Sequence, residues 1–161
     1  MKTLVIYYSL DGNTGFIAGK IAEATGADML ELKMKQDIGG GFMRYLRGGK
    51  QVVRKEKPEL LPLQVNPGDY DVIFMGSPVW AGSYAPAFNT FFNTVTLKGK
   101  KVALFACYGG QAAKTFINFR GALEGNDILG EIGFRDPLKK DTEKSGSEAA
   151  KWAAEILDSL K

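Results

Sequence analysis

The sequence predicts an α/β fold: a three-layer sandwich with a five-stranded parallel sheet and helices on both faces. Short β-branched and aromatic runs alternate with segments of helical period, strand then helix, five times along 161 residues. Residues 71–75 and 101–106 are apolar without alternation, as strands covered on both faces are. No internal repeat interrupts this order, and the length suits one domain with a substantial core. The expected organisation is a single domain over 1–161 with a basic insertion at about 35–58.

Each element has its own signal. Residues 2–8, with Leu4, Val5, Ile6, Tyr7 and Tyr8, form the first strand. Phe16, Ile17, Ile21 and Ala24 recur at helical spacing and place a helix after the loop Ser9-Leu10-Asp11-Gly12-Asn13-Thr14. Residues 28–34 alternate apolar and charged, as an edge strand with one solvated face does. The basic stretch then opens with Gly39-Gly40-Gly41. Phe42, Tyr45, Leu46 and Val52-Val53 predict one or two helices there, interrupted at Gly48-Gly49. Pro58, Pro62 and Pro67 mark an extended connection. The third strand, 71–75, is expected to end at Gly76-Ser77-Pro78, and a helix over 86–92 has Pro86 near its first turn. The fourth strand, 101–106, leads into Cys107-Tyr108-Gly109-Gly110 and a helix over 111–123. A last strand over 128–134 and a charged turn precede an amphipathic helix over 147–160, with Trp152, Ile156 and Leu160 on one face.

Composition removes whole classes of function. Hydrophobic content of 45% and charged content of 24% are ordinary for a globular protein. No apolar run reaches membrane-spanning length, and the first strand is too short and wrongly flanked for a signal peptide, so the cytoplasm is the expected location. One cysteine excludes an internal disulfide. The chain has no histidine, which excludes Ser-His-Asp and Cys-His catalysis and zinc-histidine sites; neither a catalytic residue nor a metal ligand is assigned. A bound cofactor would then carry the chemistry. The net charge of +3 is uneven: residues 33–57 hold eight basic residues and two acids, and the remainder of the chain is net acidic.

Loops after the first, third and fourth strands are polar, glycine-rich and aromatic, and a parallel sheet brings them to one edge. Ligands of such sheets bind outside the carboxyl ends of the strands, where strand order reverses. The first loop ends where a helix begins, and unpaired N–H groups at a helix N-terminus attract a phosphate. Ser9, Asn13 and Thr14 could add uncharged donors there, although Ser, Asp, Asn and Thr are equally ordinary caps and turn residues. Two nucleotide motifs fail at this place. Gly15-Phe16-Ile17-Ala18-Gly19-Lys20 is one residue short of a P-loop, and no Gly-x-Gly-x-x-Gly follows the strand. A monophosphate suits the loop better than a triphosphate or a dinucleotide.

With these loops in place, the chain resembles the flavodoxin family over most of its length, a family that is itself a standard example of the switch-point rule. The resemblance implies a sheet order of 2-1-3-4-5 and FMN as cofactor. Ser9, Gly12, Asn13 and Thr14 match the family's phosphate motif, Thr/Ser-x-Thr-Gly-x-Thr. Asp11 stands where a hydroxyl is commoner. It is expected to offer its backbone N–H and turn its carboxylate outward. Ser77, Pro78, Val79, Trp80, Ala81, Gly82 and Tyr84 are similar to the family's loop beside the flavin ring. Trp80 is the candidate for stacking on that ring, and Gly82 would let the backbone approach it. Tyr84 either lines the pocket or packs over the helix. Cys107, Tyr108, Gly109 and Gly110 resemble the segment whose backbone meets the ring's pyrimidine edge, with Cys107 a small buried residue rather than a reactive thiol.

Two functions from different classes follow from the resemblance. One is a small electron carrier serving redox partner proteins. The family usually docks through acidic surface, whereas the basic segment here either approaches an acidic partner or is simply a solvated face. That segment has no recognised nucleic-acid motif, so nucleic acid is not the expected partner. The alternative is an NAD(P)H-dependent FMN oxidoreductase of the quinone or flavin reductase type. The frame Gly76-Ser77-Pro78 to Gly82 also resembles that branch, which typically has an Arg where this chain has Val79-Trp80-Ala81. Arg44, Arg47 or Lys50 could then hold a nicotinamide-cofactor phosphate. A flavin-free binding module is the third class, and Met75-Gly76-Ser77 lacks the Asp a phospho-acceptor would need.

Overall fold

A computed structural model describes residues 1–36, 49–50 and 52–161. Phe42, Arg44, Tyr45, Leu46 and Arg47, with most of the helix expected around them, lie outside the described residues. The order of elements is β1 (Thr3–Tyr7), α1 (Asn13–Thr25), β2 (Asp28–Glu31), a 3-10 turn (Pro67–Asp69), β3 (Val72–Trp80) and β4 (Ser83–Tyr84). Then come α2 (Ala87–Thr94), β5 (Lys101–Tyr108), α3 (Thr115–Ala122), β6 (Asp127–Arg135) and α4 (Thr142–Asp158).

The sheet has six strands rather than five. Five are parallel and lie in the order β2-β1-β3-β5-β6, while the short β4 folds back antiparallel on the end of β3. The extra strand exists because β3 does not stop at Gly76-Ser77-Pro78 but runs on to Trp80. Pro78 has no N–H to give a ladder, yet it is tolerated because β1 pairs β3 only as far as Gly76. Beyond that point β5 is the parallel partner, through Ser77↔Ala106 and Pro78↔Cys107.

Other boundaries also differ from the sequence reading. β2 is shorter, and Met34 makes an isolated bridge to Leu60 instead. β5 continues through Cys107 and Tyr108, α3 starts at Thr115 rather than near 111, and α4 starts at Thr142 rather than near 147.

Period-two alternation sends neighbouring residues to opposite faces. Leu4, Ile6, Ile73, Met75 and Leu104 pack with Phe88, Phe91 and Phe119 from α2 and α3. Val5, Phe74, Ala103 and Phe105 pack with Ile17 and Ile21 from α1 and Ala149 and Ala153 from α4. Each fully buried large side chain contributes about 1.5–3 kcal/mol, so these two layers anchor the sheet. Among the described residues no helix is long and apolar enough to cross a membrane.

Candidate functional site

The first loop is folded on itself before any ligand is considered. Gly12 takes a left-handed φ of 94° and starts α1. Ser9 Oγ accepts the Gly15 N–H at 3.0 Å, and Asp11 Oδ1 accepts the Asn13 N–H at 3.1 Å. The Asp11 carboxylate is therefore turned back onto the helix start rather than outward, because an N–H there has no intrahelical partner and an anion is favoured beside it. Thr14 is fully buried near the Cys107 thiol, and its Oγ1 has no hydrogen-bond partner among the described residues.

The second loop is a two-residue hairpin. Val79 pairs with Tyr84 and Trp80 with Ser83, leaving Ala81 and Gly82 as the turn. Both have positive φ, 46° and 77°, as the mirror-type hairpin turn requires. The Gly82 carbonyl accepts the Lys114 N–H at 2.9 Å. Alanine in the left-handed region is strained by roughly 1 kcal/mol. Ala81→Asn is therefore expected to raise stability by about 0.5–1 kcal/mol, read from the urea midpoint at unchanged m-value. Trp80 is half-buried on the same turn, and Tyr8 stands edge-on to it with centroids 5.5 Å apart and planes at 89°. That is a favourable aromatic geometry, and it props the indole from below.

The third loop emerges from β5. Cys107 is buried, and burial pushes its thiol up to about 12; the Thr14 hydroxyl acts in the opposite direction and the Asp11 carboxylate adds to the rise. Burial also raises the Tyr84 phenol. Both groups stay protonated at neutral pH and supply neither a thiolate nor a general base.

A fourth loop, after β6, joins the site. The Asp136 N–H donates to the Tyr108 carbonyl at 2.9 Å, Arg135 Nε donates to the Gly109 carbonyl at 2.9 Å, and the Leu138 N–H donates to Asn13 Oδ1 at 3.0 Å. The turn between β6 and α4 is thus fastened both to the third loop and to the start of α1.

These loops enclose a cleft of about 240 Å³ at the carboxyl edge of the sheet. Of the residues expected at the site, Asp11, Asn13, Pro78, Val79, Trp80, Ala81, Cys107, Tyr108 and Gly109 line it. Leu10, Gly49, Asp136 and Lys139 line it too and were not singled out from the sequence. Asp136 and Lys139 follow β6, so the only signal for them in the sequence is their position on the same edge.

The remaining expected residues stand elsewhere. Ser9, Gly12 and Thr14 belong to the first loop but do not line the cleft. Ser77 is buried, its Oγ accepting the Ala85 N–H at 2.8 Å and donating to the Pro78 carbonyl at 2.8 Å. Gly82 and Tyr84 line a separate groove on the far side of the hairpin with Val53, Lys114 and Ile117. Tyr84 packs over the helices, its ring centroid 4.7 Å from that of Phe119. Gly110 is exposed beyond the cleft.

Comparison with known proteins agrees with this architecture. Residues 2–125 match the family described as Flavodoxin. A flavodoxin of Maridesulfovibrio salexigens is 25% identical in an alignment of 177 residues that takes in 99% of each chain. A flavoprotein of Lactobacillus acidophilus, solved in complex with FMN, superposes with a TM-score of 0.72 at 25% identity, over 86% of this chain and 97% of that one. A flavodoxin from the domain Archaea shares the fold at 16% identity, with a TM-score of 0.63 over 99% of both chains.

Proposed function

This chain belongs to the flavodoxin family, and from that premise we propose that it holds FMN in the cleft and carries electrons between redox partner proteins. The observation that carries the reading is the placement of Trp80. Its indole meets Tyr8 edge-on at one wall of a cleft that also receives the start of α1 and the end of β5, with Cys107, Tyr108 and the following Gly109. The residues suit the group. The start of α1 would hold the phosphate through the first loop's backbone other than the Asn13 N–H, which Asp11 Oδ1 already accepts, and the buried, unpartnered Thr14 hydroxyl has the chemistry of a further donor. Trp80 would cover a face of the flavin ring, and the third loop would meet one of its edges.

Bound FMN supplies the redox chemistry, taking up and releasing electrons one or two at a time. The chain's own part is to bind, orient and partly exclude water. About 240 Å³ falls below the roughly 300–1,000 Å³ of enclosing ligand sites, so part of a ligand of this size remains at the surface. Exposure of that kind suits transfer to another protein. The chain has no histidine and the Cys107 thiol is held protonated, so neither an imidazole nor a thiolate serves the cleft. Exposed Lys50, Arg54, Lys55 and Lys57 favour an acidic partner, approached faster at low salt.

Anaerobic reductive titration of the FMN-loaded protein tests the reading. Reduction in two separated one-electron steps supports the carrier. Rapid steady-state oxidation of NAD(P)H with a quinone as acceptor would replace it with the reductase. A chain that takes up no flavin at micromolar concentration would overturn both.

A further inference from the structure

We propose that Lys139 is the cation that lets this cleft accept a phosphate despite the carboxylate of Asp11, an inference that rests on the FMN reading above. Among the described residues lining the cleft, the charged ones are Asp11, Asp136 and Lys139. Two of the three therefore repel a phosphate monoester, which carries about −1.5 to −2 charges at neutral pH. Nor is Asp11 turned away from the problem: its Oδ1 holds the Asn13 N–H at 3.1 Å, keeping a negative charge at the mouth of α1.

The turn that carries Lys139 is locked over that same mouth. The Leu138 N–H donates to Asn13 Oδ1 at 3.0 Å, and Leu138 Cδ1 lies 3.3 Å from where a Cβ on Gly12 would sit. Within the turn, the Lys139 and Lys140 N–H groups donate to the Asp136 carbonyl at 2.8 and 2.9 Å. The backbone next to Lys139 is therefore held at the phosphate loop, while its side chain is exposed and enters no ion pair among the described residues. A lysine is a flexible point charge that suits a phosphate without demanding one fixed geometry. Asp11 and Lys139 are in this view one arrangement: the acid replaces a neutral donor in the loop, and the distant lysine restores the local charge.

The test compares two flavins that differ only by the phosphate, with dissociation constants read from flavin fluorescence on the flavin-free full chain. Lys139→Gln is expected to weaken FMN about tenfold at low salt, a change of about 1.4 kcal/mol, and to leave riboflavin within about twofold. The FMN effect should shrink toward nothing in about 1 M salt, where the screening length falls to about 3 Å. Lys139→Arg should retain most of the affinity. Adding Asp11→Ser to Lys139→Gln should restore much of what was lost, because the repulsion goes with the carboxylate. Equal weakening of FMN and riboflavin would mean that Lys139 only supports the fold, and would overturn the inference. No change in FMN affinity would overturn it as well, with the FMN reading left standing. A wild-type chain that binds neither flavin overturns the FMN reading itself and this inference with it.

Discussion

Gly76→Ala is expected to lower stability by about 3 kcal/mol or more, the upper end of overpacking costs. A Cβ at this position would lie 2.0, 2.1 and 2.5 Å from three atoms of the Phe105 ring. Those distances are far inside van der Waals contact, so something must move. Little can move cheaply. Gly76 and Phe105 are register partners on adjacent central strands, and the Phe105 ring is fully buried against α1 and α4. Shifting the ring disturbs the layer that holds both helices, and shifting the strand disturbs the run from Ser77 to Trp80 that forms one wall of the cleft. Urea unfolding followed by circular dichroism reads the loss as a lower midpoint at similar m-value. Pairing Gly76→Ala with Phe105→Leu should recover part of the loss, since a smaller side chain leaves room for the methyl group. An unchanged midpoint for Gly76→Ala alone would show that the two strands do not pack this closely in solution.

The same pair shows why some of this architecture was legible in the sequence and some was not. Apolar runs such as Val72-Ile73-Phe74-Met75 announce a buried strand wherever they stand, and the parallel sheet followed from them. Where β3 ends depends on its neighbours. Gly, Ser and Pro at 76–78 look like a stop, but β5 still pairs there after β1 has ended. Strand β4, two residues long, has no periodicity to detect and exists only because β3 overruns.

The candidate site divides in the same way. Loops one, two and three announced themselves through clustered glycine, hydroxyl and aromatic residues, and nine of the expected residues line the cleft. Tyr84 was ambiguous because a tyrosine after a turn suits a pocket or a helix face equally, and the aromatic rings of α2 and α3 decided the matter. Asp136 and Lys139 belong to a turn with no motif, joined to the start of α1 by a backbone N–H on a side-chain carbonyl. Such a bond leaves no trace in residue spacing. The Asp11 carboxylate differs from the sequence expectation for a related reason: repulsion from a phosphate favours an outward side chain, whereas the Asn13 N–H, with no intrahelical partner, draws it in.

Trp80→Ala is expected to weaken FMN binding about tenfold to a hundredfold, the range set by removing one aromatic stacking platform. The argument runs through support as well as contact. A half-buried indole could swing away from a ligand, but Tyr8 meets it edge-on at 5.5 Å and the hairpin pairs its backbone to Ser83, so the ring is presented ready-made. Little ordering remains to oppose binding, and most of the stacking energy appears as affinity. The fold should survive, because Trp80 lies at the margin of its hydrophobic cluster rather than in the buried centre. A melting temperature close to wild type alongside the affinity loss would place the effect in the cleft. Trp80→Phe keeps an aromatic face and should retain much of the affinity. Riboflavin should lose as much as FMN on Trp80→Ala, the opposite of the phosphate-selective loss expected for Lys139→Gln. If Trp80→Ala bound both flavins as tightly as wild type, the indole would be no more than a cover on Tyr8 and the ring would have to lie elsewhere in the cleft.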